Sequence, residues 1–222
     1  MSVINEDLGK IFEKAICLLY NIDFDGNYKY SLEEAINLKN KIIGFKEIFP
    51  YELKHIAKNG NKYDFITNNN IYLSAKTTKK DGKICPQIIG QPTKKKFCEY
   101  FNISYIDNND IKIYIIENIK NLLFNYFENT FDCPIIYYNK FKKHLLFIKR
   151  KEVINWNIYD INFSHIIKNK LWNESTSITI NNNTIGEFQI HKNRDCIKFR
   201  WSFEKLLKLF SNNFEIIIIE LQ

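Results

Sequence analysis

A mixed α/β architecture, in which a central mixed β-sheet is flanked by helices, is the fold class that the 222-residue sequence predicts. Segments with apolar residues at helical spacing alternate with short strand-like runs, a pattern typical of layered α/β or α+β domains. Gly and Pro total only 7 and 4, so long flexible linkers are not expected. We therefore predict one domain over 1–222, with a core of about 1–130 and a C-terminal part of about 131–222.

Two helices are predicted first. Residues 6–20 place their apolar side chains on one helical stripe, with Glu13 at its edge. Ser31 followed three residues later by Glu34 is a capping-box pattern, which predicts a helix over about 32–43.

Two neighbouring strands are predicted next. The segment "YELKHIA" indicates a short helical turn, and "KYDFIT" and "IYLSAKTT" then indicate strands around a turn at 68–70. Side chains alternate along a strand, so Ser74 and Lys76 face the same side. Antiparallel pairing of the two strands brings Asp64 near both, and the carbonyl group of Ala75 lies between them.

The remaining elements follow in a less regular order. "KFCEYFN" fits a helix or a loop, a helix is expected at least from 116, and "HLLFIK" indicates a strand. The segment "INWNIYDINFSHII" has an ambiguous pattern that predicts no particular element. "SITINNNTIGEFQIHK" predicts a hairpin, "CIKFRWSFEKLLKLF" a strand that passes into a helix at Ser202, and "FEIIIIELQ" a buried strand.

The net charge of +7 and the pI near 9.0 favour a polyanionic partner. Codon usage that enriches Lys and Asn is an alternative source of this charge. Arginine is more informative, because the chain has only Arg150, Arg194 and Arg200. Two of these three lie close together near the C-terminus.

Several classes of protein do not fit the sequence. The five cysteines are scattered without a CxxC pair, which excludes a zinc ribbon or a disulfide framework and favours a reducing cytoplasm. No signal peptide is recognisable, and no apolar run reaches the roughly 18–20 residues of a membrane span. The chain lacks a phosphate-binding GxxxxGK[ST] loop, so we expect no use of a nucleoside triphosphate.

The two predicted strands carry residues that suit phosphodiester hydrolysis. That reaction needs a divalent cation, oxygen ligands to hold it and a group that helps to generate hydroxide. "KYDFIT" and "LSAKTTKK", with Glu13 in the upstream "GKIFEKAICLLY", resemble the PD-(D/E)XK nuclease superfamily, and specifically type II restriction endonucleases that cut short sites. The resemblance extends to "KICPQIIGQPT" and "GEFQIHKNRDCIKFRWSFEKLLKL", and so covers 9–97 and 186–209.

The resemblance implies a catalytic site. Asp64 would bind Mg²⁺ together with Glu13 and the Ala75 carbonyl group, and Lys76 would orient the attacking water. Ser74 stands where the family usually has an acid, so the missing charge would come from Glu13 or from a water-bridged contact of Gln87. The alternatives are that Asp64 merely flanks a turn and that Lys76 is a charge that protects the edge of a sheet.

The resemblance also implies double-stranded DNA as the partner. Phosphates would be held by lysines in two runs, namely Lys79, Lys80, Lys94, Lys95 and Lys96. Bases would be read by Gln87 and Gln91 and by the late hairpin with His191, Arg194, Lys198 and Arg200. In that hairpin His191 would stand near Lys198; pairing of the arginines with Glu187, Asp195 or Glu204 is the alternative role.

The oligomeric state and two rival functions are open. A homodimer is the simplest way to cut two strands, although a monomer would also suffice. A structure-dependent repair or recombination nuclease, and a non-catalytic nucleic-acid-binding module that has lost its acid at Ser74, are the rival functions.

Overall fold

The computed structural model describes residues 5–57, 61–79, 82–104, 107–164 and 171–222. The α-helices there are α1 (Asn5–Tyr20), α2 (Leu32–Lys41), α3 (Phe45–Ile48), α4 (Lys94–Phe101), α5 (Asn108–Glu117), α6 (Ile119–Thr130) and α7 (Phe203–Leu209). The strands are β1 (Leu53–His55), β2 (Phe65–Thr67), β3 (Tyr72–Thr78), β4 (Lys83–Ile84), β5 (Ile135–Asn139), β6 (His144–Arg150), β7 (Ile161–Phe163), β8 (Ser175–Ile180), β9 (Asn183–Ile190), β10 (Ile197–Ser202) and β11 (Phe214–Ile219). Within these ranges no helix combines the length and the apolar character that crossing a bilayer requires.

The chain forms two compact units. The first contains Met1–Gly82, Phe131–Lys151 and Phe214–Gln222, and the second contains Lys83–Thr130 and Glu152–Asn213. Each unit is therefore built from separated segments of the chain. The assignment of the whole chain to one nuclease domain stays a prediction.

The first unit contains a six-stranded mixed sheet in the order β1-β2-β3-β5-β6-β11. Its neighbouring strands are antiparallel except for β3 and β5, which run parallel with Ser74 opposite Ile135. All five residues of β5 are buried, as expected for a strand inside a sheet that is covered on both faces. The predicted mixed sheet flanked by helices is thus confirmed.

Helix α1 covers the face of this sheet that carries Phe65 and Leu73. Phe12 is fully buried and stacks on Tyr138, with ring centroids 5.7 Å apart. Burying such a side chain stabilises the fold by about 1.5–3 kcal/mol. The amphipathic stripe predicted for α1 is therefore the side that faces the core.

The N-cap that was predicted for the second helix is confirmed. The hydroxyl group of Ser31 accepts a hydrogen bond from the Glu34 amide at 3.2 Å, and α2 begins at the next residue, Leu32. This bond satisfies one of the amides that the first turn of a helix leaves without a partner.

The structure corrects three sequence-based expectations. "YELKHIA" contains a strand, β1, in which Leu53 and His55 are buried and Lys54 is exposed, a two-residue period that a helical turn does not produce. The single helix expected at least from 116 is two helices: α5 begins at Asn108, where Asp107 caps it, and α6 begins at Ile119. Strand β11 is not a buried strand: it is the outermost of its sheet, and 73% of the Ile218 surface is exposed.

The second unit contains a five-stranded antiparallel sheet in the order β4-β10-β9-β8-β7. One face is apolar and packs against α6, where Tyr126 stacks on Phe199 with centroids 4.2 Å apart. Gly186 permits this packing, because a Cβ atom there would lie 2.9 Å from the Phe199 ring. The opposite face is formed by polar side chains, as expected when a sheet buries only one side.

Two further predicted elements in this unit are confirmed. The hairpin across "NNNT" is formed by β8 and β9, and β10 leads directly into α7 at Ser202. The ambiguous segment contains one turn of 3-10 helix at Trp156–Ile158 and then β7, and its end lies outside the described residues.

Candidate active site

The antiparallel pairing of β2 and β3 brings Asp64 and Lys76 together. Phe65 lies opposite Leu73, and Asp64 immediately precedes β2. Asp64 Oδ2 accepts the backbone amide of Ala75 at 2.7 Å and lies 3.5 Å from Lys76 Nζ. Only 16–17% of the two side chains is exposed, so bulk water weakens their attraction less than at an open surface.

One oxygen of this carboxylate remains available. The contacts of Asp64 within the described chain all use Oδ2, which leaves Oδ1 without a donor there. Mg²⁺ prefers oxygen ligands and is commonly held by one or two carboxylates, completed by water and substrate phosphate. Asp64 therefore fits the predicted role of a metal ligand.

Ser74 occupies a fully buried position beside a cysteine. Its amide donates to the carbonyl group of Pro134 at 3.0 Å, and none of its surface is exposed. Burial raises the pKa of the neighbouring Cys133 thiol to about 12, against a smaller lowering by a hydrogen bond from Ser74. The position where the family usually has an acid is thus occupied by a neutral serine, whose hydroxyl group contacts the neutral thiol of Cys133.

Glu13 is buried in α1 and has two partners. Its carboxylate accepts Lys10 Nζ at 2.7 and 3.0 Å and lies 3.1 Å from His55 Nε2. His55 Nδ1 accepts the amide of Asp25 at 2.9 Å, so the imidazole proton is on Nε2 and points to Glu13. Sequence reasoning missed His55, because it lies 42 residues from Glu13 and no local pattern connects the two.

The described contacts form two clusters rather than one. His55 lies opposite Phe65, which lies opposite Leu73, so these side chains share the face that α1 covers. Ser74 and Lys76 alternate to the other face. Among the described residues no hydrogen bond or ion pair joins Glu13 to Asp64, and no group of three or more His, Cys, Asp and Glu forms a ready metal site.

The first lysine run and the glutamine loop are only partly described. Lys79 follows β3 and is half-buried, while Lys80 lies outside the described residues. Gln87 is half-buried and Gln91 is exposed, in the loop that precedes α4. Gly90 lets this loop fold tightly, because a Cβ atom there would lie 2.3 Å from the Pro86 carbonyl oxygen.

The second lysine run forms the first turn of α4. Thr93 caps this helix through a 3.2 Å bond from the amide of Lys96, and the turn contains Lys94, Lys95 and Lys96 but no acid. Cations at a helix N-terminus oppose the helix dipole. The turn therefore concentrates positive charge at a cost in helix stability.

The late hairpin forms as predicted, but with different contacts. Lys198 lies opposite Gln189, not His191, which instead contacts Glu174 at 2.9 Å through Nδ1. Arg194 is exposed in the turn between β9 and β10. The expected closeness of His191 and Lys198 is corrected, because the pairing register places His191 beyond the end of β9.

Arg200 is paired with an acid, the alternative weighed from the sequence. Its Nε atom donates to Glu187 Oε1 at 2.9 Å, and Lys83 Nζ also contacts this carboxylate. Burial raises the pKa of Glu187, but hydrogen bonds from Lys83 and Arg200 outweigh it and lower the pKa below its ordinary value.

An aspartate held against a lysine on adjoining strands of a helix-flanked mixed sheet is the arrangement that the resemblance to type II restriction enzymes implies. Comparison with known proteins finds a similar protein with that name. The type II restriction enzyme CviAII of Paramecium bursaria Chlorella virus 1 is 48% identical over 219 residues, which are 98% of this chain. The chain spans 64% of the length of that relative. No protein-family model and no solved structure matches the chain.

Proposed function

We propose that the chain is a Mg²⁺-dependent type II restriction endonuclease, which hydrolyses both strands of duplex DNA at a short sequence. The contact between Asp64 and Lys76 on neighbouring strands carries this proposal. The identity of nearly half of the aligned residues to a protein named as a type II restriction enzyme supports it.

In the proposed site Asp64 would hold the cation, while the Ala75 amide keeps the carboxylate in place. The bound cation would neutralise charge on the scissile phosphate and lower the pKa of a coordinated water. Lys76 donates from its ammonium group to the attacking water and to the phosphate oxygens, on which negative charge develops. This arrangement is of the PD-(D/E)XK type, with the Ala75 carbonyl group as a further ligand.

The prediction that Glu13 supplies the charge that Ser74 lacks is not retained in the proposed site, because Glu13 contacts His55 on the face that α1 covers, whereas Ser74 and Lys76 lie on the other face. Lys10 and His55 hold the Glu13 carboxylate, which is only 6% exposed, in a separate buried cluster.

The DNA phosphates are proposed to contact the lysines after β3 and in the first turn of α4. The absence of an acid in that turn supports the proposal, because three lysines at a helix N-terminus bring no benefit to the helix itself. Two copies of the chain would then cut the two strands, although a monomer that acts twice gives the same product.

Digestion of a sequenced plasmid with Mg²⁺, followed by sequencing of the fragment ends, tests the proposal. Discrete fragments that share one short terminal sequence are expected, and EDTA should prevent their formation. Cutting at junctions or mismatches without a common sequence would favour a repair or recombination nuclease. Binding that is indifferent to Mg²⁺ and yields no product would favour a non-catalytic module.

A further inference from the structure

The polar face of the five-stranded sheet contains a buried carboxylate that the proposed reaction does not use. Only 9% of the surface of Glu187 is exposed, on β9. Gln189 lies two residues along the strand and Arg200 lies opposite in β10, so the three side chains share one face. Lys83 of β4 reaches the same carboxylate.

The carboxylate of Glu187 accepts hydrogen bonds from three neighbouring side chains. Oε1 accepts from Gln189 Nε2 at 2.9 Å, from Arg200 Nε at 2.9 Å and from Arg200 Nη2, and Oε2 accepts from Lys83 Nζ. Each carboxylate oxygen has two lone pairs, so the three donors on Oε1 saturate that oxygen, while Oε2 has one described donor. Most of the acceptor capacity of Glu187 is thus used on neighbouring side chains, which it fixes in place.

Among the residues that the structure describes, the side chains that Glu187 fixes keep hydrogen-bonding groups without a partner. Arg200 uses two of its five N–H groups on Glu187, which leaves three, and 27% of its side chain is exposed. Gln189 keeps its carbonyl oxygen and one N–H group. Arginine bonds in a fork to guanine O6 and N7, and glutamine bonds in a fork to adenine N6 and N7.

The charge of this face suits DNA. Three cationic side chains, Lys83, Lys198 and Arg200, outnumber the one carboxylate of Glu187. Lys198 is paired with Gln189 across the two strands. Such an excess of cations attracts phosphates, while the two forked side chains offer groups that distinguish bases.

We propose that Arg200 and Gln189 read base edges on this face and that Glu187 is the positioning residue that holds both in a fixed orientation. This inference rests on the proposed function. Fixing the two side chains before binding lowers the entropy that recognition costs, since long side chains are ordered in advance.

Binding of the Glu187→Gln variant to two duplexes tests this inference. One duplex carries the sequence that the wild-type chain enriches from a randomised library, and the other is random. Glu187→Gln should bind the random duplex more tightly, with a salt dependence steeper by about one unit of log–log slope, because a released cation gains a phosphate contact. Its preference for the enriched sequence should fall by about 5- to 150-fold, since a lost forked contact is worth about 1–3 kcal/mol.

Glu117→Gln is the matched control, because it removes the same charge at an exposed position in the same unit. It should leave the preference unchanged. A general charge effect would alter both variants alike and would overturn the assignment of Glu187.

Arg200→Lys provides an independent test if Glu187→Gln fails to fold. It keeps the charge but removes the fork, so the preference should fall about tenfold while binding to the random duplex stays the same. A folded variant that retains the wild-type preference within about twofold overturns the inference alone. A wild-type chain that enriches no sequence overturns the proposed function as well.

Discussion

The ammonium group of Lys76 lies 3.5 Å from Asp64 Oδ2, on the neighbouring strand of the same sheet. That distance is long for a hydrogen bond, whereas the Ala75 amide contacts the same oxygen at 2.7 Å. The backbone thus fixes the carboxylate, and the lysine stands close enough to balance its charge without being locked to it. This difference predicts how the two side chains respond to substitution.

Lys76→Ala should abolish cleavage and preserve binding. Loss of a positioned acid–base group typically lowers the rate about 10²–10⁴-fold. Plasmid cleavage measures the rate, and fluorescence anisotropy in EDTA measures DNA affinity, which should stay within about threefold of wild type. Lys54→Ala, at an exposed position of β1, is the control and should cut normally. Cleavage by Lys76→Ala at the wild-type rate would disprove the assignment.

Asp64→Asn should abolish the response of the protein to Mg²⁺. The asparagine carbonyl group still accepts the Ala75 amide, so the strand pairing is kept, but the charge that attracts the cation is lost. Wild type should be stabilised by about 2.7 kcal/mol at a Mg²⁺ concentration 100-fold above the Kd, and the variant by none. Thermal melts with and without Mg²⁺ measure this, with the exposed Asp195→Asn as control. An unchanged shift in Asp64→Asn would argue against a metal at this position.

Ser74→Asp should make folding depend on the cation. An uncompensated charge at this fully buried position should cost about 3 kcal/mol in EDTA, and Mg²⁺ should recover part of that loss. Ser74→Ala, the control, should cost only about 1 kcal/mol through the lost hydrogen bond to Cys133, with no dependence on Mg²⁺. Denaturant melts give both values. Equal stability of Ser74→Asp with and without Mg²⁺ would show that the cation does not approach this residue.

Acid should remove the stability that Glu187 contributes. Its folded-state pKa is lowered from 4.5, so the contribution is fully present above pH 4.5 and is lost as the pH falls through the folded-state pKa. Denaturant melts of wild type and Glu187→Gln from pH 7 to pH 3 should show a stability difference that shrinks only below about pH 4.5. A difference that is constant over this range would mean that Lys83 and Arg200 do not lower the folded-state pKa of Glu187.

The sequence contained the information for Asp64 and Lys76 because both depend on local geometry. A turn at 68–70 forces the two strands together, and the two-residue period of a strand then fixes which side chains meet. The N-cap at Ser31 and the hairpin of β8 and β9 are local in the same sense.

Contacts between distant segments were not predictable in this way. Strand β5 was not recognised, although the continuous apolar run "IIYY" is the signal of a strand buried on both faces. The hydrogen bond from His55 to Glu13 depends on tertiary packing. The ion pair of Arg200 with Glu187 depends on the pairing register of β9 and β10. A single sequence leaves these alternatives open, because an arginine in a hairpin can face a base or an acid equally well.

The discontinuous make-up of the first unit affects the order of folding during synthesis. Ribosomes add about 5–20 residues per second, and chain segments fold as they emerge. The sheet with Asp64 and Lys76 is completed only when Phe214–Ile219 can pair with β6, whereas all strands of the other sheet have emerged by then. The sheet that carries Asp64 and Lys76 is therefore the later of the two to have all of its strands available for pairing.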